Sequence, residues 1–88
     1  MTLTQLKYII ALAREQHFGR AADFCCVSQP TLSIGIKKLE QELNVVIFDR
    51  HASSFTTTVK GKVIIERAIN IISQAEDLKS YALTQQNP

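Results

Sequence analysis

The chain has 88 residues, enough for one small hydrophobic core but not two, so an activity that needs a deep pocket between domains is excluded. Hydrophobic residues make up 45% and charged residues 20%, as in ordinary globular domains, and no apolar run approaches the ~20 residues of a membrane span. The net charge is +2, with +3 in residues 1–63 and −1 in residues 64–88. Two cysteines and no secretory leader pattern indicate a cytoplasmic protein without a disulfide scaffold or a membrane partner.

The first two predicted helices follow each other closely. Apolar residues recur at steps of three and four from Leu3 to Ala13, and Thr2 with Gln5 matches a capping box, which predicts a helix that runs to about Gln16. After His17, a second helical pattern covers barely two turns. Its apolar positions are Phe18, Ala21, Ala22 and Cys25.

The third predicted helix has the clearest pattern. Ser28 is a typical N-cap residue, and Pro30 falls in the first turn, where the backbone N–H groups have no acceptor within the helix and a missing one breaks no bond. Asn44 tolerates the left-handed conformation that ends a helix. Gly35 is a poor helix former, and of its two explanations, close backbone approach and simple tolerance, we favour tolerance. The residues expected to face the core are Leu32, Ile36, Leu39 and Leu43.

A small hairpin is predicted after the third helix. Residues 45–48 and 55–58 are β-prone, and the polar stretch 49–54 lies between them. Two short helices joined by a tight turn, followed by such a hairpin, predict a mainly α fold: a winged helix-turn-helix of three helices and a two-stranded wing over residues 1–58.

A last helix of about 25 residues, capped by Thr58, is predicted over residues 59–88. Its apolar positions, which begin at Gly61, follow each other at steps of three and four, and isoleucines widen the stripe. A globule of about 60 residues cannot cover so much apolar surface, so we expect a second copy to cover it. The candidate dimer residues are Ile64, Ile65, Ala68, Ile71, Ile72, Ala75, Leu78 and Ala82.

The outer face of the third helix is the candidate DNA-binding surface. At about 100° per residue, the four core positions leave the opposite side pointing outward. Gln29 and Ser33 can bond base edges, and Ile34, unless it belongs to the core, can pack on a thymine methyl. The other candidates on or beside this helix are Ser28, Pro30, Thr31, Lys37 and Lys38, of which Thr31 suits phosphate and the lysines suit phosphate or guanine. Arg20 on the second helix can bind phosphate or pair with Asp23.

The run FGRAADFCCVSQPTLSIGIKKLEQELNVVIFDR resembles the helix-turn-helix of LysR-type transcriptional regulators, and ALAREQHFGRAAD is most similar to their peroxide-sensing OxyR branch. The resemblance covers residues 1 to about 85 and implies a winged helix-turn-helix, a linker helix that pairs antiparallel in a homodimer, and an effector domain absent from these residues. It further implies sequence-specific binding to a near-palindromic operator in the bacterial nucleoid, transcriptional regulation in the oxidative-stress response, and a tetramer in the full-length protein. Gln29, Pro30 and Ser33 match positions that commonly contact DNA at the family's recognition helix, and Thr31 and Lys37 match positions near the backbone.

Two of the departures from the family pattern affect the expected DNA contacts. Ile34 stands where an arginine often contacts a base, so specificity here should depend more on apolar contact and DNA shape. The wing tip, residues 51–54, has no Arg or Lys for the minor groove, which leaves Arg50 and His51 as candidates.

Other functions were weighed against DNA binding. The main alternative is a protein-interaction module that docks through the apolar C-terminal helix, and salt dependence separates it from DNA binding. Cys25 and Cys26 invite a redox interpretation, but Cys25 shares the apolar stripe and a disulfide between adjacent helical residues is strained. His17 and His51 lack partners at metal-ligand spacing, and no catalytic arrangement or phosphate loop is visible. We therefore expect no enzyme, metal or cofactor.

Overall fold

The computed structural model describes residues 1–84, and its four helices and two strands follow the predicted order. None of the described helices has the length and apolar character needed to cross a bilayer. The expected linker residues 85–88 lie outside the described part. The elements are α1 (Leu3–Glu15), α2 (Phe18–Phe24), α3 (Gln29–Leu43), β1 (Phe48–Arg50), β2 (Phe55–Thr57) and α4 (Val59–Thr84).

Local sequence signals set the helix ends as predicted. The Thr2 hydroxyl accepts a bond from the Gln5 N–H, and the Gln5 side chain accepts one from the Thr2 N–H, both at 3.0 Å, which completes the capping box. Asn44 ends α3 in the left-handed conformation, with φ 52°. At the start of α4, the Thr58 hydroxyl accepts the Gly61 N–H at 2.9 Å, so the predicted cap is confirmed.

Helix α1 is the centre of the fold, because α2, α3 and α4 all pack against it. Its inner face is fully or almost fully buried, and small alanines on α2 let that helix approach closely. The predicted α3 core is confirmed except for Leu43, which is 38% exposed because it lies in the last turn, at the edge of the packed region. The central core residues are Leu6, Ile9, Leu12, Ala21, Ala22, Leu32, Ile36, Leu39 and Ile47.

Glu40 is the buried polar residue that the apolar pattern of α3 did not reveal. A single oxygen of its carboxylate accepts the N–H groups of Ile47 at 2.8 Å and Phe48 at 3.1 Å. The Glu40 carbonyl also accepts the Val45 N–H at 3.0 Å. Helix α3 thus satisfies the backbone donors of the segment that follows it.

The first strand begins later than predicted. Residues 45–48 were expected to form it, but β1 covers Phe48–Arg50, and the chain before it turns back onto α3, where Glu40 accepts the N–H groups of Val45 and Ile47. Asp49 and Arg50 therefore belong to a strand rather than to the loop, and they pair antiparallel with Thr56 and Phe55. The second strand lies within the predicted segment, as Phe55–Thr57.

Two glycines mark close approaches between elements. A β-carbon at Gly35 would lie 2.7 Å from the buried Tyr8 ring, so the expectation of simple tolerance was wrong: α1 and α3 are too close there for a side chain. A β-carbon at Gly61 would lie 2.5 Å from the Ile47 carbonyl oxygen, so this position of the apolar stripe faces the chain's own backbone.

Part of the predicted dimer stripe is covered within the chain. Ile65 and Ala68 are buried in the core formed with α1, so they offer little surface to a partner. Ile64, Ile72 and Ala75 are half-buried, and Ile71, Leu78 and Ala82 are exposed. The uncovered part of the stripe therefore lies toward the C-terminal half of α4.

Replacing Gly35 with alanine should destabilise the chain, although alanine is the better helix former. The gain in helix propensity is about 1 kcal/mol, whereas overpacking against a buried ring typically costs ~1–3 kcal/mol. Urea unfolding checks this, with the exposed Lys38→Ala on the same helix as a control that should change little. A more stable Gly35→Ala variant would mean that Tyr8 moves aside freely.

Replacing Glu40 with alanine should lower the free energy of unfolding by at least about 2 kcal/mol, because two buried N–H groups lose their acceptor. Glu40→Gln should lose much less, since one amide oxygen can accept both bonds. Urea unfolding of the two variants separates the effects. Equal losses would show that charge, and not hydrogen bonding, is what Glu40 contributes.

Candidate nucleic-acid interface

The helix-turn-helix consists of α2, a short turn and α3. Cys26 in the turn has φ 59°, a left-handed conformation that glycine usually supplies. The capping His17 accepts the Arg20 N–H with Nδ1 at 3.0 Å, a role that the sequence analysis missed. The turn directs α3 so that its inner face meets α1 and its outer face meets solvent.

The predicted contact residues on α3 do share its outer face. Ser33 is half-buried, and the others are exposed. Ile34 is 56% exposed, so it is a surface residue and does not belong to the core. Within residues 1–84, no ion pair involves Lys37 or Lys38. The exposed predicted residues of this face are Ser28, Gln29, Pro30, Thr31, Ile34, Lys37 and Lys38.

The first turn of α3 has an organised pair of hydroxyl groups. The Ser28 hydroxyl accepts the Thr31 N–H at 3.2 Å and donates to the Thr31 hydroxyl at 2.8 Å. The hydrogen of Ser28 is used inside the chain, whereas that of Thr31 remains available for an external acceptor. Of the two hydroxyls, Thr31 is thus the better donor to an anionic group.

Arg50 connects the wing to α3. Its guanidinium donates to the Ser33 hydroxyl at 3.1 Å and lies 4.8 Å over the Phe18 ring. Phe18 packs edge-on against Phe55 at 5.3 Å, and Phe55 against Phe48 at 5.5 Å. These contacts form one cluster of α2, α3 and both strands, and the cluster places the positive charge of Arg50 beside the outer face of α3.

The wing turn is closed by the His51 N–H, which donates to the Ser54 carbonyl at 2.7 Å. Both the His51 side chain and the tip are exposed. Between the tip and the starts of α2 and α3 lies a cleft of about 520 Å³ that opens to solvent. Its polar lining includes Gln16, His17, Gln29, Arg50 and His51.

Arg20 pairs differently from the expectation. Its guanidinium donates to the Glu15 carbonyl at 3.2 Å, and its Nε lies 3.8 Å from the Glu15 carboxylate, so the partner is Glu15 and not Asp23. Arg20 remains exposed and bridges the end of α1 and α2.

The two cysteines differ in environment. Burial and the neighbouring Cys26 raise the pKa of the Cys25 thiol, an effect that Lys7 opposes. A raised pKa disfavours the reactive thiolate. Across residues 1–84, no three His, Cys, Asp or Glu side chains come together in a way that could hold a metal ion.

Comparison with known proteins gives consistent matches. Residues 3–62 match the bacterial regulatory helix-turn-helix proteins of the lysR family. The hydrogen peroxide-inducible genes activator of Pectobacterium carotovorum is 42% identical over 85 residues, which are 97% of this chain and 28% of that protein. The chain thus spans under a third of the length of this relative.

Two solved structures superpose closely. A full-length OxyR variant from Pseudomonas aeruginosa has a TM-score of 0.95 and 52% identity over 99% of this chain and 30% of that one. A complex of the BenM DNA-binding domain with benA site 1 DNA has a TM-score of 0.87 and 35% identity over 93% of this chain and 92% of that one. The chain therefore belongs to the lysR family of bacterial regulatory helix-turn-helix proteins.

Proposed function

We propose that this chain is the DNA-binding part of a LysR-type transcriptional regulator and binds a near-palindromic operator as a homodimer. The observation that carries the proposal is the outer face of α3, where Gln29, Ile34 and Lys37 are exposed beside the wing and none of residues 1–84 covers them. The BenM domain that superposes on almost the whole chain is itself bound to DNA. A helix presented in this way fits the major groove.

The side chains of this face suit different parts of the duplex. The carboxamide of Gln29 can donate to and accept from a base edge, and Ile34 suits a thymine methyl. Thr31 has a free hydroxyl hydrogen for a phosphate, and Lys37 and Lys38 supply the positive charge. The exposed Pro30 ring in the first turn can make apolar contact with DNA, and Ser28 acts by capping and orienting Thr31.

The wing has a divided role in this proposal. Arg50 is held beside Ser33, so it serves the major-groove edge and orients the Ser33 hydroxyl, which keeps its own hydrogen for DNA. The exposed His51 is the candidate for the minor groove. Arg20, fixed to the end of α1, suits a phosphate that flanks the groove.

The homodimer is proposed to form through the uncovered part of the apolar stripe of α4, where Ile71, Leu78 and Ala82 are exposed. Two linked domains bind two half-sites more tightly than separate ones do.

In the full-length regulator we propose a tetramer, located at the bacterial nucleoid, that serves the oxidative-stress response. The similarity to OxyR and to the peroxide-inducible activator supports this role.

Gln29→Ala should weaken binding to an operator selected from a pool of random DNA by roughly 1–3 kcal/mol and leave binding to random DNA nearly intact, because only a base contact is lost. Lys38→Ala is the matched comparison on the same face. It should weaken binding to both DNAs alike and lower the salt slope by about one. Fluorescence anisotropy with both duplexes at two salt concentrations measures this.

The same titration tests the alternative, a protein-interaction module without DNA readout. Counterion release makes DNA affinity fall steeply with salt, whereas apolar docking through α4 persists. Absence of DNA binding at low salt would overturn the proposed function. An equal loss on operator and random DNA in Gln29→Ala would overturn only the readout role of that residue.

Replacing both Ile71 and Leu78 with aspartate should convert the dimer to a monomer, because charges then replace exposed apolar side chains in the proposed interface. Operator binding should weaken with it, since the half-sites are no longer bound together. Sedimentation equilibrium gives the mass, and circular dichroism checks that α4 stays helical. An unchanged mass would contradict this interface.

A further inference from the structure

Ile34 is a large apolar residue in the middle of the DNA-binding face. It is 56% exposed, whereas Leu32, Ile36 and Leu39 of the same helix are fully buried. At about 100° per residue, Ile34 lies roughly 140–200° from each of them, so it points almost directly away from the core. A β-branched side chain has one strongly preferred χ1 rotamer in a helix. The methyl groups of Ile34 are therefore held in place before a partner arrives.

The outward-facing residues of α3 form two rows, because residues four positions apart lie nearly above one another on a helix. The rows are Gln29, Ser33 and Lys37 in one, and Pro30, Ile34 and Lys38 in the other. Arg50 from the wing donates to the Ser33 hydroxyl at 3.1 Å, so the first row lies on the side of the wing. The second row carries the apolar part of the face, and Ile34 is at its centre.

The surroundings of Ile34 suit DNA rather than an apolar protein surface. Residues 29–39 contain no Asp or Glu, and two lysines follow Ile34 by one turn. The exposed Pro30 precedes it by one turn and extends the apolar surface by a single residue. An apolar patch of two residues is far smaller than a stable protein interface, but it suits one methyl group on a base edge.

The chemistry of Ile34 limits what it can read in the major groove. In unmodified DNA the groove displays one methyl group, on C5 of thymine. Next to that methyl group, thymine presents the acceptor O4 and cytosine presents the donor N4. Ile34 has no donor or acceptor with which to distinguish them. The C5 methyl group is therefore the feature of a pyrimidine that this side chain recognises, whichever base carries it.

We propose that Ile34 reads the C5 methyl group of one pyrimidine in each half-site, and reads it equally on thymine and on 5-methylcytosine. The inference rests on the proposed function and deepens it, because it names the chemical group that one contact recognises. A half-site with cytosine at this position binds weakly, and the same half-site with 5-methylcytosine binds strongly. Affinity for such an operator thus responds to methylation of the DNA.

A scan with uracil locates the methyl group, because uracil differs from thymine only in lacking it. Each thymine of the selected operator is replaced by uracil in turn, and affinity is measured by fluorescence anisotropy. At one position the wild-type chain should bind about fourfold more weakly for each half-site changed, the factor expected for one buried methyl-sized group. Ile34→Ala should bind both duplexes alike, because its side chain ends at Cβ and does not reach the methyl group.

Replacing the base pair tests whether the methyl group alone is read. At the position found by the scan, the thymine is exchanged for cytosine or for 5-methylcytosine, each paired with guanine. Methylation of the cytosine should strengthen wild-type binding by the same factor of about four, although the base pair has changed. Ile34→Ala should not distinguish these two duplexes. Because it is measured on the same duplexes, a methyl effect that acts through DNA shape would persist in this variant.

Gln29→Ala is the matched control from the other row. It should bind every operator duplex more weakly and yet keep the full methyl effect, because its lost contact is to a different group. Since Ile34 and Gln29 are exposed, neither variant should unfold at a lower urea concentration than the wild type.

The outcomes separate this inference from the function on which it rests. A wild-type chain that binds no DNA at low salt would contradict the proposed function itself. A chain that binds its operator but tolerates every uracil substitution would overturn the methyl contact alone. A methyl effect that survives in Ile34→Ala, or equal wild-type affinity for cytosine and 5-methylcytosine, would overturn it as well.

Discussion

The rotation of α3 about its own axis decides what this chain presents to other molecules. Leu32, Ile36 and Leu39 are fully buried, and burial of each such side chain stabilises a fold by about 1.5–3 kcal/mol. The exposed residues on the opposite side have no comparable preference for one direction. A turn of the helix by one residue, about 100°, would move this apolar set out of the core. The core therefore fixes the outer face, and the candidate DNA contacts follow from packing rather than from their own interactions.

Features set by neighbouring residues could be predicted, and features set by distant ones could not. The capping box at Thr2, the cap at Ser28 and the left-handed Asn44 depend on residues within one turn, and all three match the sequence analysis. The burial of Glu40 has no such local signal, because nothing in α3 shows that residues 47 and 48 return to it. The late start of β1 and the close approach at Gly35 have the same origin, a contact between elements.

The apolar stripe of α4 shows a further limit of the sequence pattern. Periodicity indicates which residues avoid water, but not which chain covers them. Gly61, Ile65 and Ala68 carry the same signal as Leu78, yet α1 and the segment at Ile47 cover the first three, and within the described part of the chain nothing covers Leu78. The boundary depends on where α1 ends beside α4, a tertiary property. What remains uncovered is shorter than the sequence indicated and lies at the end of α4 farther from the helix-turn-helix.

The contact between Arg50 and Ser33 changes how the DNA-binding face should be understood. The sequence places these residues 17 positions apart, on the wing and the recognition helix, and suggests two independent contacts. In the structure one guanidinium bonds Ser33, stacks on Phe18 and thereby joins the aromatic pairs that hold both strands. A displacement of the wing on DNA must therefore move the Arg50 guanidinium, which orients Ser33. The proposed major-groove and minor-groove contacts are therefore mechanically coupled, so the effects of substitutions at the two sites should not be additive.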